Sequence, residues 1–132
     1  MTPKLALGAM ALTLALAGNS RTALAGPQDY EFQLVEPKIR QGGDATVAVT
    51  LTDKRTGNPV ADAVIFATRM DMAPDGMETM TTLVEAMPST EPGTYNFRTR
   101  LVMAGGWRFS IAAKIQGEAE TVESRLVIEA IE

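Results

Sequence analysis

The sequence predicts an all-β protein, a sandwich of about seven antiparallel strands arranged in two sheets. Three observations support this prediction. Apolar and polar side chains alternate along several stretches, turn-forming residues separate these stretches at short intervals, and no stretch has a helical period or a capping box. Such alternation places one face of each strand in a core and the other face in solvent, as in antiparallel sheets.

The strands follow from this alternation in chain order. Residues 107–115 are a clear example, because Trp107, Phe109 and Ile111 fall on one face while Arg108 and Ser110 fall on the other. The same pattern, or a β-branched and apolar composition, predicts strands at residues 31–36, 44–53, 63–72, 79–85, 94–103, 107–115 and 121–130. We expect all of them to form one domain.

Segments rich in Gly, Pro, Asn and Asp separate the predicted strands. They read QGGD (41–44), RTGNP (55–59), APDG (73–76), EPG (91–93), AGG (104–106) and QGE (116–118). These residues favour chain reversal, because Gly tolerates positive φ, Pro presets φ, and Asn and Asp bond to their own backbone. In APDG we expect Gly76 to take positive φ, so that the chain folds back on itself.

The N-terminal 25 residues have the layout of a secretory signal peptide. Lys4 gives a positive start, residues 5–18 are uncharged and apolar, and Ala23 and Ala25 supply the small residues of a cleavage site. The apolar run is shorter than the about 20 residues that a membrane span needs. We therefore expect cleavage after Ala25, leaving residues 26–132 as a single periplasmic domain with no stable membrane insertion. The alternative is that the segment stays attached as an uncleaved N-terminal anchor.

Charge and composition limit the partners. Removing Lys4 and Arg21 from the 12 basic residues leaves 10 against 16 acidic ones, a net charge of −6 for the expected mature chain. This balance argues against nucleic acid or an anionic membrane surface as partner. The absence of both His and Cys excludes Ser-His and Cys-His nucleophile pairs and ordinary zinc sites, so we expect no enzyme.

The stretch MDMAPDGMETM, residues 70–80, holds four of the eight methionines of the chain. Thioether sulfur is a soft, neutral donor that suits Cu(I) or Ag(I). If APDG turns the chain, the methionines before and after it approach each other, and another methionine ends a later strand. The candidate metal ligands are Met70, Met72, Met77, Met80 and Met103.

Other interpretations of these residues stay open. Methionine is also a flexible core filler, and Met70 fits that role equally well. A methionine-rich rim would equally serve as an adaptable docking surface for a protein partner, without metal. Trp107 is expected in the core, with a cation–π contact to a soft cation as the alternative. Tyr95 is expected to tie a loop through its hydroxyl, and Arg98, Arg100 and Arg108 to form one polar strand face.

Several short motifs resemble the YtkA-like/FixH-like group of small exported β-sandwich domains. The resemblance covers residues 42–116, in GNPVADAVIFATRMDMAPDGMETM and EPGTYNFRTRLVMAGGWRFSIAAKI. The matching positions are Gly57, Pro59, Val60, Asp62, Ala63 and Val64, then Gly76 and Met77, then Gly93 and Tyr95, then Met103, Ala104, Gly105 and Trp107.

The resemblance implies an immunoglobulin-like sandwich outside the cytoplasmic membrane. Members of this group are linked to copper or heavy-metal handling beside efflux systems, or look like assembly factors for haem–copper oxidases. It therefore implies a Cu(I)- or Ag(I)-binding, metallochaperone-like domain whose partner is a periplasmic adaptor of a metal efflux system or a cuproprotein. The absence of histidine favours Cu(I) or Ag(I) over Cu(II). The alternative is a metal-free interaction module with a methionine-rich docking rim.

Overall fold

The structure, a computed structural model, describes residues 27–132, so the predicted signal peptide lies outside the described residues. Ten strands follow a short 3₁₀ turn at Pro27–Asp29, and a second such turn, Ala73–Asp75, connects two of them. The strands are β1 (Tyr30–Leu34), β2 (Lys38–Arg40), β3 (Gly42–Asp53), β4 (Asn58–Pro59), β5 (Val64–Met72), β6 (Met77–Thr82), β7 (Val84–Met87), β8 (Thr94–Leu101), β9 (Gly105–Lys114) and β10 (Val122–Ile131).

The strands form two sheets, which confirms the predicted sandwich. One sheet has the order β1-β3-β8-β7 with β4 paired to β3, and the other has the order β2-β10-β9-β5-β6. Neighbouring strands are antiparallel except β2 and β10, which run parallel. The short strands β2 and β4 were not predicted, because three and two residues are too few to show an alternating pattern.

The predicted single strand at residues 79–85 is in fact two strands in different sheets. β6 ends at Thr82 and pairs with β5, whereas β7 begins at Val84 and pairs with β8. The chain crosses between the sheets at Leu83, whose carbonyl accepts a hydrogen bond of 2.7 Å from the buried Thr99 hydroxyl. Because the chain leaves one sheet and enters the other here, the Leu83 carbonyl has no partner in either ladder, and the Thr99 hydroxyl supplies one.

The core fills the space between the two sheets. Val47, Val49 and Leu51 of β3 are completely buried from one side, and Trp107 and Phe109 of β9 from the other. The alternating faces that the sequence predicted therefore do point inward. Across the sheets, the rings of Phe97 and Phe109 meet edge to face, with their centroids 5.2 Å apart, a geometry that adds about 0.5–1.5 kcal/mol beyond area burial.

Tyr95 ties a connecting segment to the sandwich, as its position after EPG predicted. Its hydroxyl donates a hydrogen bond of 2.7 Å to the Val60 carbonyl and accepts one of 3.1 Å from the Ala63 N–H. This holds the segment between β4 and β5 against β8. Within residues 27–132, no helix has the length and hydropathy needed to cross a membrane.

Candidate functional site

The methionine-rich stretch forms a hairpin. β5 ends at Met72, the 3₁₀ turn at Ala73–Asp75 reverses the chain, and β6 begins at Met77. Gly76 has φ 79°, the left-handed conformation expected from the sequence, and its N–H donates a hydrogen bond of 2.8 Å to the Ala73 carbonyl. Met72 and Met77 stand opposite each other in the ladder, a position that brings Cβ atoms to about 4.5–5.5 Å.

The five candidate ligands differ in exposure. Met70 and Met72 are completely buried in the core, and Met80 is partly buried against it. Met77 and Met103 are 38% and 39% exposed. Solvent therefore reaches only the last two freely, while the first two pack as core residues. The assignment of these side chains as metal ligands stays a prediction.

The turn between β8 and β9, residues 102–104, carries Met103 and lies against the hairpin formed by β5 and β6. Asp75 accepts a hydrogen bond of 3.2 Å from the Gly106 N–H. A Cβ at Gly105 would overlap the Asp75 carboxylate and would lie 3.1 Å from Cε of Met72. A Cβ at Gly106 would lie only 2.8 Å from Cβ of Pro74. The two glycines therefore permit the close approach that brings the Met103 turn beside the hairpin.

Trp107 fixes the backbone of the Met103 turn. The indole is completely buried, as predicted for a core residue, and its Nε1 donates a hydrogen bond of 3.0 Å to the Met103 carbonyl. The bond holds the backbone at Met103 in place, while its side chain stays partly in solvent. The sandwich core thereby positions one of the two exposed candidate ligands.

Asp71 is a buried carboxylate on the strand that leads into the hairpin. It accepts hydrogen bonds of 2.9 Å from Arg69 Nε, 3.0 Å from Arg108 and 2.9 Å from the Ala73 N–H. Burial acts to raise the pKa of Asp71, but the Ala73 N–H and the two guanidinium groups outweigh it and lower the pKa overall. The carboxylate is thus charged at neutral pH and anchors the start of the turn.

The arginine prediction needs a correction. Arg98 and Arg100 lie together on β8, whereas Arg108 lies on β9 in the other sheet, so the three residues form no single face. Arg98 does contact acidic residues on both neighbouring strands, at 3.4 Å to Asp44 of β3 and 3.7 Å to Glu85 of β7. The ion pairs of Asp71 with Arg69 and Arg108 were not predicted, because the two arginines are 39 residues apart in the sequence. The only local signal was that Arg69 and Asp71, two positions apart, share one face of a strand.

Harder metal ligands are not gathered anywhere in the described part of the chain. Residues 27–132 contain no group of three or more Asp and Glu side chains placed to hold an ion, and the chain has no His or Cys. Thioethers differ from these harder donors in being soft and neutral, which suits Cu(I) and Ag(I).

Comparison with known proteins identifies a family. The model of the YtkA-like family matches residues 24–112, more than half of the chain. No curated protein sequence gives a significant match.

Three solved structures contain chains similar to this one. The Lin-41 filamin domain is 20% identical, with a TM-score of 0.44, covering 72% of this chain and 90% of that one. The ZirS C-terminal domain is 16% identical, with a TM-score of 0.47, covering 96% and 82%. The Escherichia coli adhesin FdeC is 19% identical, with a TM-score of 0.44, covering 79% and 31%. At TM-scores below 0.5, these similarities carry no functional information.

Proposed function

The chain belongs to the YtkA-like family, and on this basis we propose that it is a periplasmic domain that binds Cu(I) or Ag(I) as cargo. The proposed ligands are drawn from Met70, Met72, Met77, Met80 and Met103. The proposed partner is a periplasmic adaptor of a metal efflux system, or a cuproprotein that receives the metal. The domain acts as a carrier and not as a catalyst.

One observation supports this proposal more than any other. Met72 stands opposite Met77 in the β5–β6 ladder, and its Cε lies beside Gly105, two residues from Met103. Three thioether residues from two chain reversals therefore occupy the same end of the sandwich. Cu(I) accepts a small number of soft, neutral ligands, and thioethers meet that requirement without losing a proton.

The exposure of the methionines suits a carrier. Met77 and Met103 are partly exposed, so sulfur atoms of a partner can approach a metal held there and replace them one at a time. Met72 is completely buried and would supply a ligand from the core side. Met70 and Met80 lie further along the hairpin and would act by packing around these three residues.

The test is an anaerobic titration of the purified protein with Cu(I) against a chromophoric Cu(I) competitor. A double variant with Met77→Leu and Met103→Leu removes the two exposed thioethers and leaves the core methionines in place. Met87→Leu is the matched control, because Met87 lies on β7 in the other sheet. We expect the double variant to lose about tenfold or more in affinity, and Met87→Leu to bind like the parent protein.

Equal binding by all three proteins, or no stoichiometric binding by the parent, would remove the carrier proposal. A second candidate function would then take its place. Val102 is 51% exposed next to Met103, and Met77 is exposed on the facing hairpin. These side chains would form an apolar docking rim for another envelope protein without metal. Binding of such a partner would be insensitive to a Cu(I) chelator.

A further inference from the structure

A hollow of about 670 Å³ lies on the outer face of the sheet, over β5, β9 and β10. Arg69 of β5 and Arg108 of β9 contribute to its wall, and both point away from the core face that carries Met70. The hollow is therefore separate from the methionines proposed to bind metal. Its volume falls within the about 300–1,000 Å³ usual for small-molecule sites, although it is open to solvent.

One end of the hollow is cationic. In the ladders, Ser110 of β9 stands between Arg69 of β5 and Arg125 of β10, and Arg108 lies two residues from Ser110 on the same face. Arg69 and Arg108 share a single carboxylate, that of Asp71. Arg125 has no hydrogen bond or ion pair with any described residue. Three guanidinium groups thus lie at this end, and the only carboxylate paired with any of them among the described residues is that of Asp71, on a chain whose overall charge is negative.

The bonds already made leave donors for a ligand. Arg108 uses one terminal nitrogen for Asp71, and its other terminal nitrogen makes no hydrogen bond to a described residue, whereas its unpaired Nε is buried. Arg69 uses its Nε and one terminal nitrogen. Because a guanidinium has five N–H donors in a planar fork, both side chains keep unused N–H groups.

The other end of the hollow combines apolar side chains with one carboxylate. Ala112 lies two residues beyond Ser110 on β9, opposite Ala67 of β5, and Phe66 beside it is 55% exposed. Glu123 of β10 also stands opposite Ala112, so its negative charge lies at this end. The spacing of two residues along a strand separates the two ends by about 7 Å. An anionic group is thus attracted to the arginine end and repelled from the other.

We infer that this hollow binds a small amphiphilic anion, an oxyanion group joined to a short apolar body. Its carboxylate or phosphate contacts Arg69, Arg108 and Arg125, whose planar forks match either oxyanion. Its apolar body lies over Ala112 and Phe66. Two kinds of molecule carry an oxyanion joined to an apolar body: a free metabolite, and an anionic lipid through its headgroup and the adjoining part of its acyl chain.

The test uses backbone amide NMR shifts of the purified protein, titrated with octanoate and octyl phosphate below their micelle-forming concentrations. Acetate and inorganic phosphate supply the oxyanion without the apolar body, and octylammonium reverses the charge. Arg125→Gln removes a guanidinium that has no described partner, and Phe66→Ala shortens the apolar end. Their matched controls are Arg100→Gln, on the exposed face of the other sheet, and Val35→Ala, which is 57% exposed elsewhere.

We expect saturable shifts near Ser110 and Ala112 with octanoate or octyl phosphate. Arg125→Gln and Phe66→Ala should each weaken binding about fivefold, and the two controls should leave it unchanged. The proposal is overturned if no saturable shift occurs, if Arg125→Gln binds like the parent protein, or if octylammonium or acetate binds as well as octanoate.

A co-sedimentation arm with phosphatidylglycerol vesicles distinguishes the two sources of the ligand. Sedimentation that Arg125→Gln abolishes would support an anionic lipid as the source. Binding of monomeric octyl phosphate with no sedimentation would support a free metabolite. Both results depend on the same arginine end, so each supports the inferred chemistry.

Discussion

Asp71 of β5 and Arg108 of β9 form an ion pair of 3.0 Å in which the carboxylate has no exposed surface, while the guanidinium side chain keeps 28% of its surface in solvent. Because of this difference in exposure, Asp71 depends on the ion pair more than Arg108 does. An arginine that loses this contact still reaches water, whereas Asp71 would keep a buried charge with fewer donors. The pair joins β5 to β9, the central strand of its sheet, just before the Ala73–Asp75 turn.

Replacing Asp71 by Asn should destabilise the fold by about 1–3 kcal/mol, because the amide removes the charge that both arginines and the Ala73 N–H now meet. Denaturant unfolding of both proteins measures the difference. Asp44→Asn is the matched control. Asp44 also contacts an arginine but is 82% exposed, so the control should change stability by less than about 0.5 kcal/mol. Equal losses from the two substitutions would contradict this account.

The ionisation of Asp71 should also contribute to the pH dependence of the unfolding free energy. The pKa of Asp71 is lowered from its ordinary 3.8. A carboxyl with a lower pKa in the folded state adds stability above its unfolded pKa, and that stability is lost as the pH falls through the folded value. The measurement is the unfolding free energy of both proteins from about pH 6 to about pH 3. We expect it to decline below about pH 4, and to decline less steeply in the Asp71→Asn variant. Parallel curves for the two proteins would exclude this contribution.

Gly105→Ala should destabilise the protein by about 1–3 kcal/mol or more, since the site combines a strained backbone with a steric overlap. Gly105 has φ 135°, and a Cβ there would overlap the Asp75 carboxylate. Gly43→Ala is the control, because a Cβ at Gly43 meets nothing within 4 Å and its φ is not in the left-handed region. Thermal unfolding compares them, and a neutral Gly105→Ala would show that the two turns do not pack as described.

Alkaline titration should find no tyrosine ionising at its ordinary pKa. The hydrogen bond that Tyr30 donates to Glu118 raises its pKa to about 12, and burial raises the pKa of Tyr95. The chain has no other tyrosine. A raised pKa stabilises the fold below the unfolded value, and this stability is lost as the pH rises through the folded one. Near-ultraviolet absorbance follows both groups, and Glu118→Gln should lower only the Tyr30 transition.

Cu(I) affinity, if thioethers hold the metal, should be almost independent of pH between about pH 7 and about pH 5, because a thioether has no proton to lose. The competitor titration repeated across this range, with the competitor's own affinity calibrated at each pH, measures it. A fall of about tenfold per pH unit would mean that a titrating carboxylate takes part instead.

Local patterns in the sequence were sufficient for much of the fold. Alternation in residues 107–115 predicted which side chains of β9 enter the core, and APDG predicted a reversal with Gly76 at positive φ. The position of Tyr95 after EPG predicted its tie to a loop. These features depend on neighbouring residues, whose periodicity and backbone preferences are written in the chain itself.

The candidate site was less predictable. The sequence predicted that Met70, Met72, Met77 and Met80 lie on one hairpin. The alternation of residues along the strand did not predict that Met70 and Met72 are completely buried while Met77 is exposed. It also gave no sign that residues 79–85 change sheet at Leu83. Both sheets face the same core, so an apolar residue fits equally well in a strand of either one.

The order of residues therefore establishes that this chain makes short alternating strands, where the chain reverses after most of them, and that its soft donors are thioethers. Strand pairing, the meeting of Arg69 and Arg108 at a buried Asp71, and the succession of an arginine end and an apolar end along β9 follow only from the folded structure. The reason is physical. Strand periodicity comes from the geometry of adjacent residues, whereas pairing and burial depend on contacts between residues far apart in the chain.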